Sequence, residues 1–224
     1  MTDEMSNEKP AQTNTKQKRS ATFYTDKIGL ERLIFFSDAV FAIAITLLAL
    51  EIRLPEEAGQ YGDLEMWAAL VGLWHQYLAY IISFLVIGSF WMAHHRKFRL
   101  VDRYDNRLLS LNLLVLMSIA FIPFASSVIS VSSTRSATIF YALTMVVVSL
   151  FFTAMWVYIT HDNRLLKPDI SQQRKQREFI SVLSTVVVFL ISIVLSFINT
   201  DLARLSWILI LPAGIYVNTK TPTT

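Results

Sequence analysis

The sequence predicts an all-α integral membrane protein whose chain crosses the bilayer six times. Its 224 residues are 54% hydrophobic and 17% charged, whereas about 25% of the residues in an ordinary soluble domain are charged. Six apolar runs follow one another, most of them as long as the roughly 17 to 25 residues that a helix needs to cross the hydrocarbon core. The basic residues are concentrated in alternate connections between these runs. Together these three observations indicate a polytopic membrane protein.

Polar segments flank the predicted membrane domain. Residues 1–31 carry mixed charges and lack the apolar core of a signal peptide, so they are expected to form a cytoplasmic, largely disordered tail. The six-helix transmembrane domain is predicted over residues 32–217. Residues 218–224 are expected to form a second, short cytoplasmic tail.

Charges or turn residues separate the six apolar runs. Arg53 and Pro55 end the first run, and His94, His95 and Arg96 end the second. At 1.5 Å per residue the second run is about 42 Å long and the sixth about 20 Å, against a hydrocarbon core of about 30 Å. We therefore expect the second helix to tilt or to begin in the membrane interface. The predicted spans are Leu33 to Ile52, Met66 to Ala93, Leu108 to Ser130, Ala137 to Thr160, Phe179 to Ile198 and Leu205 to Val217.

The distribution of Lys and Arg predicts which connections face the cytoplasm. All but three of the 20 basic residues lie before the first span, in the connections 94–107 and 161–178, or at the C-terminus. The exceptions are Arg53, Arg135 and Arg204, one in each remaining connection. Both termini are therefore predicted to lie on the cytoplasmic side of a cell membrane.

Composition and motifs exclude several function classes. The chain has no cysteine, which excludes disulfide frameworks, thiolate metal sites and cysteine catalysis. The metalloprotease, nucleophile-elbow, P-loop and dinucleotide-binding motifs are all missing, so the sequence predicts neither an enzyme nor a bound cofactor. The basic residues behind the net charge of +3 mark membrane topology and do not form the clustered basic face that nucleic acid requires.

The few polar side chains within the predicted spans are the candidate functional residues, because an ionisable group at mid-membrane costs roughly 2.5 to 3.5 kcal/mol. Asp38 lies beside Ser37 in the first span, His94 and His95 end the second, and Asn112 lies one turn into the third. These side chains fall near the cytoplasmic ends of their helices, where a hydrogen-bonded cluster is feasible. Two other interpretations remain open: Asp38 as an interfacial carboxylate favoured by the helix dipole, and the histidines as membrane anchors. Adjacent histidines point to different sides of a helix, so at most one faces the bundle interior.

The first span carries a distinctive motif. It begins R-x-x-x-F-S-D at Arg32, Phe36, Ser37 and Asp38, continues with an Ala/Ile/Leu-rich stretch and ends L-x-L-E-I. This segment resembles the prokaryotic transmembrane protein 175 family of potassium channels. The resemblance is sharp over residues 32–52 and beyond them rests on architecture. The filter loop T-V-G-Y-G of other potassium channels is missing here, as it is in that family.

The resemblance implies a homotetramer in which four copies of the first helix line a central pore. The apolar layers that select the ion in the family align with Ile43, Leu47 and Leu50, and its pore-facing hydroxyl aligns with Thr46. Independently of the family, steps of four and three residues place the three apolar side chains within an arc of about 60° on an α-helix. An apolar stripe alone does not distinguish a pore wall from a packed core.

The resemblance also implies a structural network that positions the first helix rather than lining the pore. Its members are Arg32, Phe36, Ser37 and Asp38, and the candidate partners are His94, His95 and Asn112.

The first functional hypothesis is a potassium-permeable cation channel without a filter loop, modestly selective for K⁺ over Na⁺ through apolar rings on the first helix. A narrow apolar ring forces an ion to shed water, which K⁺ does more readily than Na⁺.

The alternative is a proton-coupled membrane transporter that uses Asp38 and a histidine, and a third hypothesis is a non-conducting scaffold. Transporters usually carry intramembrane acids on several helices, whereas this sequence has one deep carboxylate. The expected partners are other copies of the chain, membrane lipid and monovalent cations, with no metal beyond permeant K⁺.

Overall fold

The computed structural model describes the backbone of residues 11–163 and 165–209 and the side chains of residues 27–163 and 165–207. Within these ranges the regular structure is helical, and five helices are long and apolar enough to cross a membrane. Each of these five helices overlaps one of the predicted spans. The five helices are Lys27–Glu51, Trp74–Phe98, Asn106–Val131, Arg135–Asn163 and Gln172–Ser196.

The first helix is longer than its predicted span. Helix α1 comprises Ala11–Leu47 and continues as a 3-10 turn, Leu48–Glu51. It therefore begins within the segment predicted to be a disordered tail, where alanine, glutamine, lysine and arginine, all good helix formers, recur. The 3-10 turn ends at Ile52, whose backbone is extended, and Pro55 then prevents the helix from continuing.

The second predicted span, Met66 to Ala93, is wrong as a single helix. The structure divides it into α2, Asp63–Gly72, and α3, Trp74–Phe98, which meet at Leu73. The physical reason is length, because an unbroken helix would exceed the hydrocarbon core by about 12 Å. The candidate membrane span is α3 alone, and α2 has no buried residue.

The third predicted span, Leu108 to Ser130, coincides with two helices and not with one. Helices α4, Asn106–Ala120, and α5, Ile122–Val131, meet at Phe121. Pro123 lacks a backbone N–H and breaks the intrahelical hydrogen-bond ladder at this point. The Asp105 carboxylate caps α4 by accepting a 2.9 Å hydrogen bond from the backbone N–H of Leu108.

Helices α6, Arg135–Thr160, and α7, Gln172–Ser196, pack along each other, and α6 also contacts α4 and α5. Thr134 and Ser171 cap their N-termini with side-chain oxygens. Buried side chains recur along α6 at intervals of three and four residues, so one broad face of it lies in the core. They include Ala137, Thr138, Tyr141, Ala142, Met145, Val148, Ser149, Phe152, Met155, Trp156 and Ile159.

Two connections meet at one end of the bundle. The backbone N–H of Asp102 donates to the carbonyl of Leu165, and that of Lys167 donates to the carbonyl of Leu100, each over 2.9 Å. These bonds join the connection after α3 to the connection after α6. The two basic connections of the sequence therefore lie on the same side of the molecule.

The sixth predicted span, Leu205 to Val217, lies mostly outside the described residues, as does the predicted tail 218–224. Within them, the chain after α7 forms α8, Thr200–Leu205, and then a 3-10 turn, Ser206–Leu209. Trp207 is buried against α6 and α7, where its ring stacks on that of Tyr141 with centroids 4.6 Å apart. The segment after α7 thus packs back against the bundle.

Candidate functional site

Helix α1 has two different faces. Its buried face lies against α3, α4 and α5, and its residues are spaced three to four apart, as one side of an α-helix requires. They are Leu30, Leu33, Ser37, Phe41, Ala44 and Leu48. Several of the other described side chains of α1, Ile43 and Leu47 among them, are exposed, so the helix is anchored mainly on one side.

The residues predicted as pore layers lie together on the unpacked side of α1. Ile43, Leu47 and Leu50 are 58%, 41% and 67% exposed. Thr46 is also exposed, and its hydroxyl lies within hydrogen-bond distance of the backbone carbonyls of Ala42 and Ile43, at 3.0 and 2.9 Å. The hydroxyl is therefore satisfied by its own helix. These four residues present a narrow, mainly apolar strip, which we call the exposed stripe.

On the buried side of α1, a chain of hydrogen bonds, which we call the relay, holds the helix against its neighbours. The Ser37 hydroxyl donates to the carbonyl of Leu33 over 2.8 Å, and the Asn112 amide donates to Ser37 Oγ over 2.9 Å. His94 Nε2 lies 2.9 Å from Asn112 Oδ1. Because that oxygen can only accept, the histidine is the donor, and Nε2 carries its proton. The relay, defined by Ser37, Asn112 and His94, links α1, α4 and α3.

The two adjacent histidines have different environments. His94 is fully buried against Phe98, with ring centroids 4.2 Å apart, whereas His95 is exposed. Within the described residues the Nδ1 atom of His94 has no hydrogen-bond partner. Only His94 therefore belongs to the relay, in keeping with the expectation that at most one histidine faces the interior.

Asp38 has a partner that sequence reasoning missed. Its Oδ1 accepts a 2.8 Å hydrogen bond from the indole N–H of Trp91 on α3. Trp91 lies three residues before His94, which places both on one side of α3. Asp38 therefore bonds to Trp91 and His94 to Asn112, and not to each other. Arg32 and Phe36 are exposed and lie outside these contacts.

A second polar cluster was also missed by sequence reasoning. Lys97 Nζ lies 3.0 Å from one carboxylate oxygen of Glu178, and Arg96 Nε lies 3.2 Å from the other. Lys97 and Glu178 are buried, and the lysine amine lies 5.4 Å from the ring centroid of Trp156. Lys97 and Glu178 lie in the predicted connections, where charged side chains are expected to face solvent. However, Lys97 follows His94 by three residues and therefore lies on the same, buried side of α3. This cluster joins α3 to α7.

The arrangement is suited to positioning a helix and not to bond-making chemistry. In the part of the chain that the structure describes, no three His, Asp or Glu side chains converge as metal ligands. The polar groups of the relay are directed toward one another inside the bundle. The surface that they leave available is the exposed stripe, which is apolar apart from Thr46.

Comparison with known proteins agrees with this architecture. The family described as "Endosomal/lysosomal potassium channel TMEM175" matches residues 32–123. A potassium channel of Streptomyces collinus is 42% identical over 144 residues, which cover 62% of this chain and 68% of that protein. A potassium channel of Chamaesiphon minutus is 34% identical over 181 residues, covering 77% and 86% of the two chains.

A solved structure has the same fold. It is the crystal structure of a lysosomal potassium-selective channel TMEM175 homologue from Chamaesiphon minutus, with a TM-score of 0.74 and 29% sequence identity. The match covers 85% of this chain and 98% of that one. The family is one of ion channels and not of enzymes. The helices are suited to crossing a membrane, and the first helix packs against the bundle mainly on one side. Together with the sequence identity to these relatives, this shows that the chain belongs to the TMEM175 family of multi-pass membrane proteins.

Proposed function

We propose that the chain forms a potassium-permeable cation channel in which four copies of α1 surround a central pore. The observation that carries this proposal is the exposed stripe. Ile43, Leu47 and Leu50 lie on one side of a helix whose other side is fixed by a buried polar relay. Within the described residues the stripe is exposed and not enclosed by other helices of the same chain, so the pore needs further copies. The relatives that are named as potassium channels support the channel function.

In this channel the apolar side chains act as the narrow region. A ring of apolar groups gates by dewetting and makes a passing ion release water, which favours K⁺ over Na⁺. A tenfold preference requires only about 1.4 kcal/mol, so we expect modest selectivity. Thr46 contributes a polar ring beside the apolar layers, and its hydroxyl oxygen keeps acceptor capacity for an ion.

We infer that both termini face the cytoplasm of a cell membrane. The basic connections 94–107 and 161–178 lie on one side, since backbone hydrogen bonds join them. At the other end Arg204 donates to the Ser132 carbonyl over 3.2 Å, so the two weakly basic connections meet there. This arrangement supports the positive-inside assignment. A sixth spanning helix, beginning near Leu205, would return the C-terminus to the cytoplasm.

The test is K⁺ flux from liposomes that hold a K⁺ gradient, with only a protonophore to balance charge. We expect the purified chain to collapse the gradient rapidly. Leu47→Trp should abolish the flux by filling the narrow region, whereas Leu150→Trp should not, because Leu150 lies on α6 and is exposed away from the stripe. Absence of flux, or flux coupled stoichiometrically to protons as in a transporter, would contradict the proposal. So would a stable monomer on mass determination in detergent.

A further inference from the structure

Phe36 lies on the same side of α1 as the exposed stripe. It precedes Ile43 by seven residues, which places the two side chains within about 20° of each other around the helix and about 10 Å apart along it. Its side chain is 52% exposed. The motif that contains Phe36 implied a supporting role, but its neighbour Ser37 is the residue that turns into the bundle.

The surroundings of Phe36 leave its ring free. Among the described residues, no ring contact or cation contact involves it. Phe35 is the natural comparison, since it has the same chemistry and depth and is 70% exposed. It points about 100° away from Phe36 and about 80° away from Ile43 around the helix, toward the side of Thr46, so it is not in line with the apolar layers. Exposure alone therefore does not distinguish the two rings, but direction does.

We infer that four copies of Phe36 form an aromatic ring at the cytoplasmic end of the conduction path, where they bind monovalent organic cations such as quaternary ammonium ions. This inference rests on the proposed tetrameric channel. The face of an aromatic ring carries negative partial charge and attracts a cation within about 6 Å of its centroid. Ile43, Leu47 and Leu50 lack such a face. The ring of Phe36 thus holds a cation ahead of the apolar layers.

The first experiment uses the absence of cysteine from the chain, which removes background labelling. Phe36→Cys, Phe35→Cys and Leu47→Cys channels are recorded in excised patches, and a cationic, membrane-impermeant thiosulfonate is applied to each side in turn. We expect labelling from the cytoplasmic side to reduce K⁺ current at Phe36→Cys at least about fivefold, because a fixed cation in the pathway repels K⁺. Phe35→Cys should keep its current.

The outcomes separate this inference from the proposed function. Block at Leu47→Cys without block at Phe36→Cys overturns the aromatic ring and leaves the channel proposal intact. Equal block at Phe35→Cys and Phe36→Cys also overturns it. Block at neither Leu47→Cys nor Phe36→Cys contradicts the pore formed by α1 itself.

The second experiment needs no labelling. Tetrapentylammonium applied to the cytoplasmic side should block the wild-type channel and Phe36→Tyr with similar affinity. Phe36→Leu, which keeps the apolar bulk but removes the aromatic face, should weaken block about fivefold. Phe35→Leu is the matched control and should leave block unchanged. Wild-type affinity in Phe36→Leu, or no block of the wild-type channel, would overturn the inference.

Discussion

The two faces of α1 distribute polarity in opposite ways. The buried face carries Ser37, whose hydroxyl joins a relay to Asn112 and His94, whereas the exposed stripe is apolar except for Thr46. In a soluble protein the polar side chains would face outward. Polar groups here hold the helix against the bundle, while the apolar groups of the stripe stay exposed, as the proposed channel requires.

The relay fixes the rotation of α1 as well as its position. Each residue along an α-helix turns the side chain by about 100°, so only one rotation directs Ser37 toward Asn112. The same rotation directs Ile43 and Leu47 away from the bundle. The orientation of the stripe is therefore set by hydrogen bonds on the far side of the helix.

The largest effect is expected from breaking the buried face. Asn112→Leu removes both relay contacts and leaves Nε2 of His94, the ring nitrogen that bonds to Asn112, without a partner. Each unsatisfied buried group costs about 1 to 3 kcal/mol, so we expect a loss of about 3 kcal/mol of stability. Thermal unfolding followed by size-exclusion chromatography measures it. Ser110→Leu is the control, because Ser110 is exposed on α4 and bonds only to its own helix. Equal stability of the two variants would mean that the relay does not anchor α1.

The sequence predicted the exposed face more completely than the buried one. The family resemblance identified Ile43, Leu47 and Leu50, and their spacing of three and four residues places them on a common side of the helix. Ser37, Asn112 and His94 were proposed from their polarity and shared depth, but which atoms meet depends on packing between helices.

Physical reasons also explain why sequence reasoning missed Trp91, Lys97 and Glu178. Trp91 was ambiguous because an indole suits both a membrane interface and a buried hydrogen bond. Lys97 and Glu178 resembled solvated loop charges, since charged side chains are almost never fully buried unless paired, and the pairing joins residues 81 positions apart. Gly72 and Leu73 gave no strong signal for the break between α2 and α3.

An intermediate effect is expected from changing the exposed stripe. Ile43→Asn should widen and wet the narrow layer, and we expect the preference for K⁺ over Na⁺ to fall about tenfold, equivalent to about 1.4 kcal/mol. Folding should be little affected, because Ile43 makes few contacts with the rest of the chain and is 58% exposed. Reversal potentials under mixed K⁺ and Na⁺ gradients measure the change. Unchanged selectivity would remove Ile43 from the narrow region, and Leu143→Asn on α6 controls for a polar group in the membrane.

The smallest effect is expected at Asp38, where the two faces of α1 meet. Asp38→Asn keeps an oxygen to accept the hydrogen bond from Trp91 but removes the charge that strengthens it, so the expected loss of stability is about 1 kcal/mol. Trp91→Phe removes the donor of the same bond. If Asp38 stabilises the protein through this bond, the double variant should lose little more stability than the less stable of the two single variants. A double-mutant cycle measures this non-additivity.

Yield and thermal stability of the assembled protein are therefore expected to change more than ion preference in Asp38→Asn. The reason is geometric, because Asp38 is about 140° around the helix from Ile43 and its carboxylate is engaged by α3. Normal yield combined with altered selectivity would instead place the Asp38 carboxylate on the conduction path. That result would erase the distinction between an anchoring face and a conducting face, on which the assignment of the exposed stripe depends.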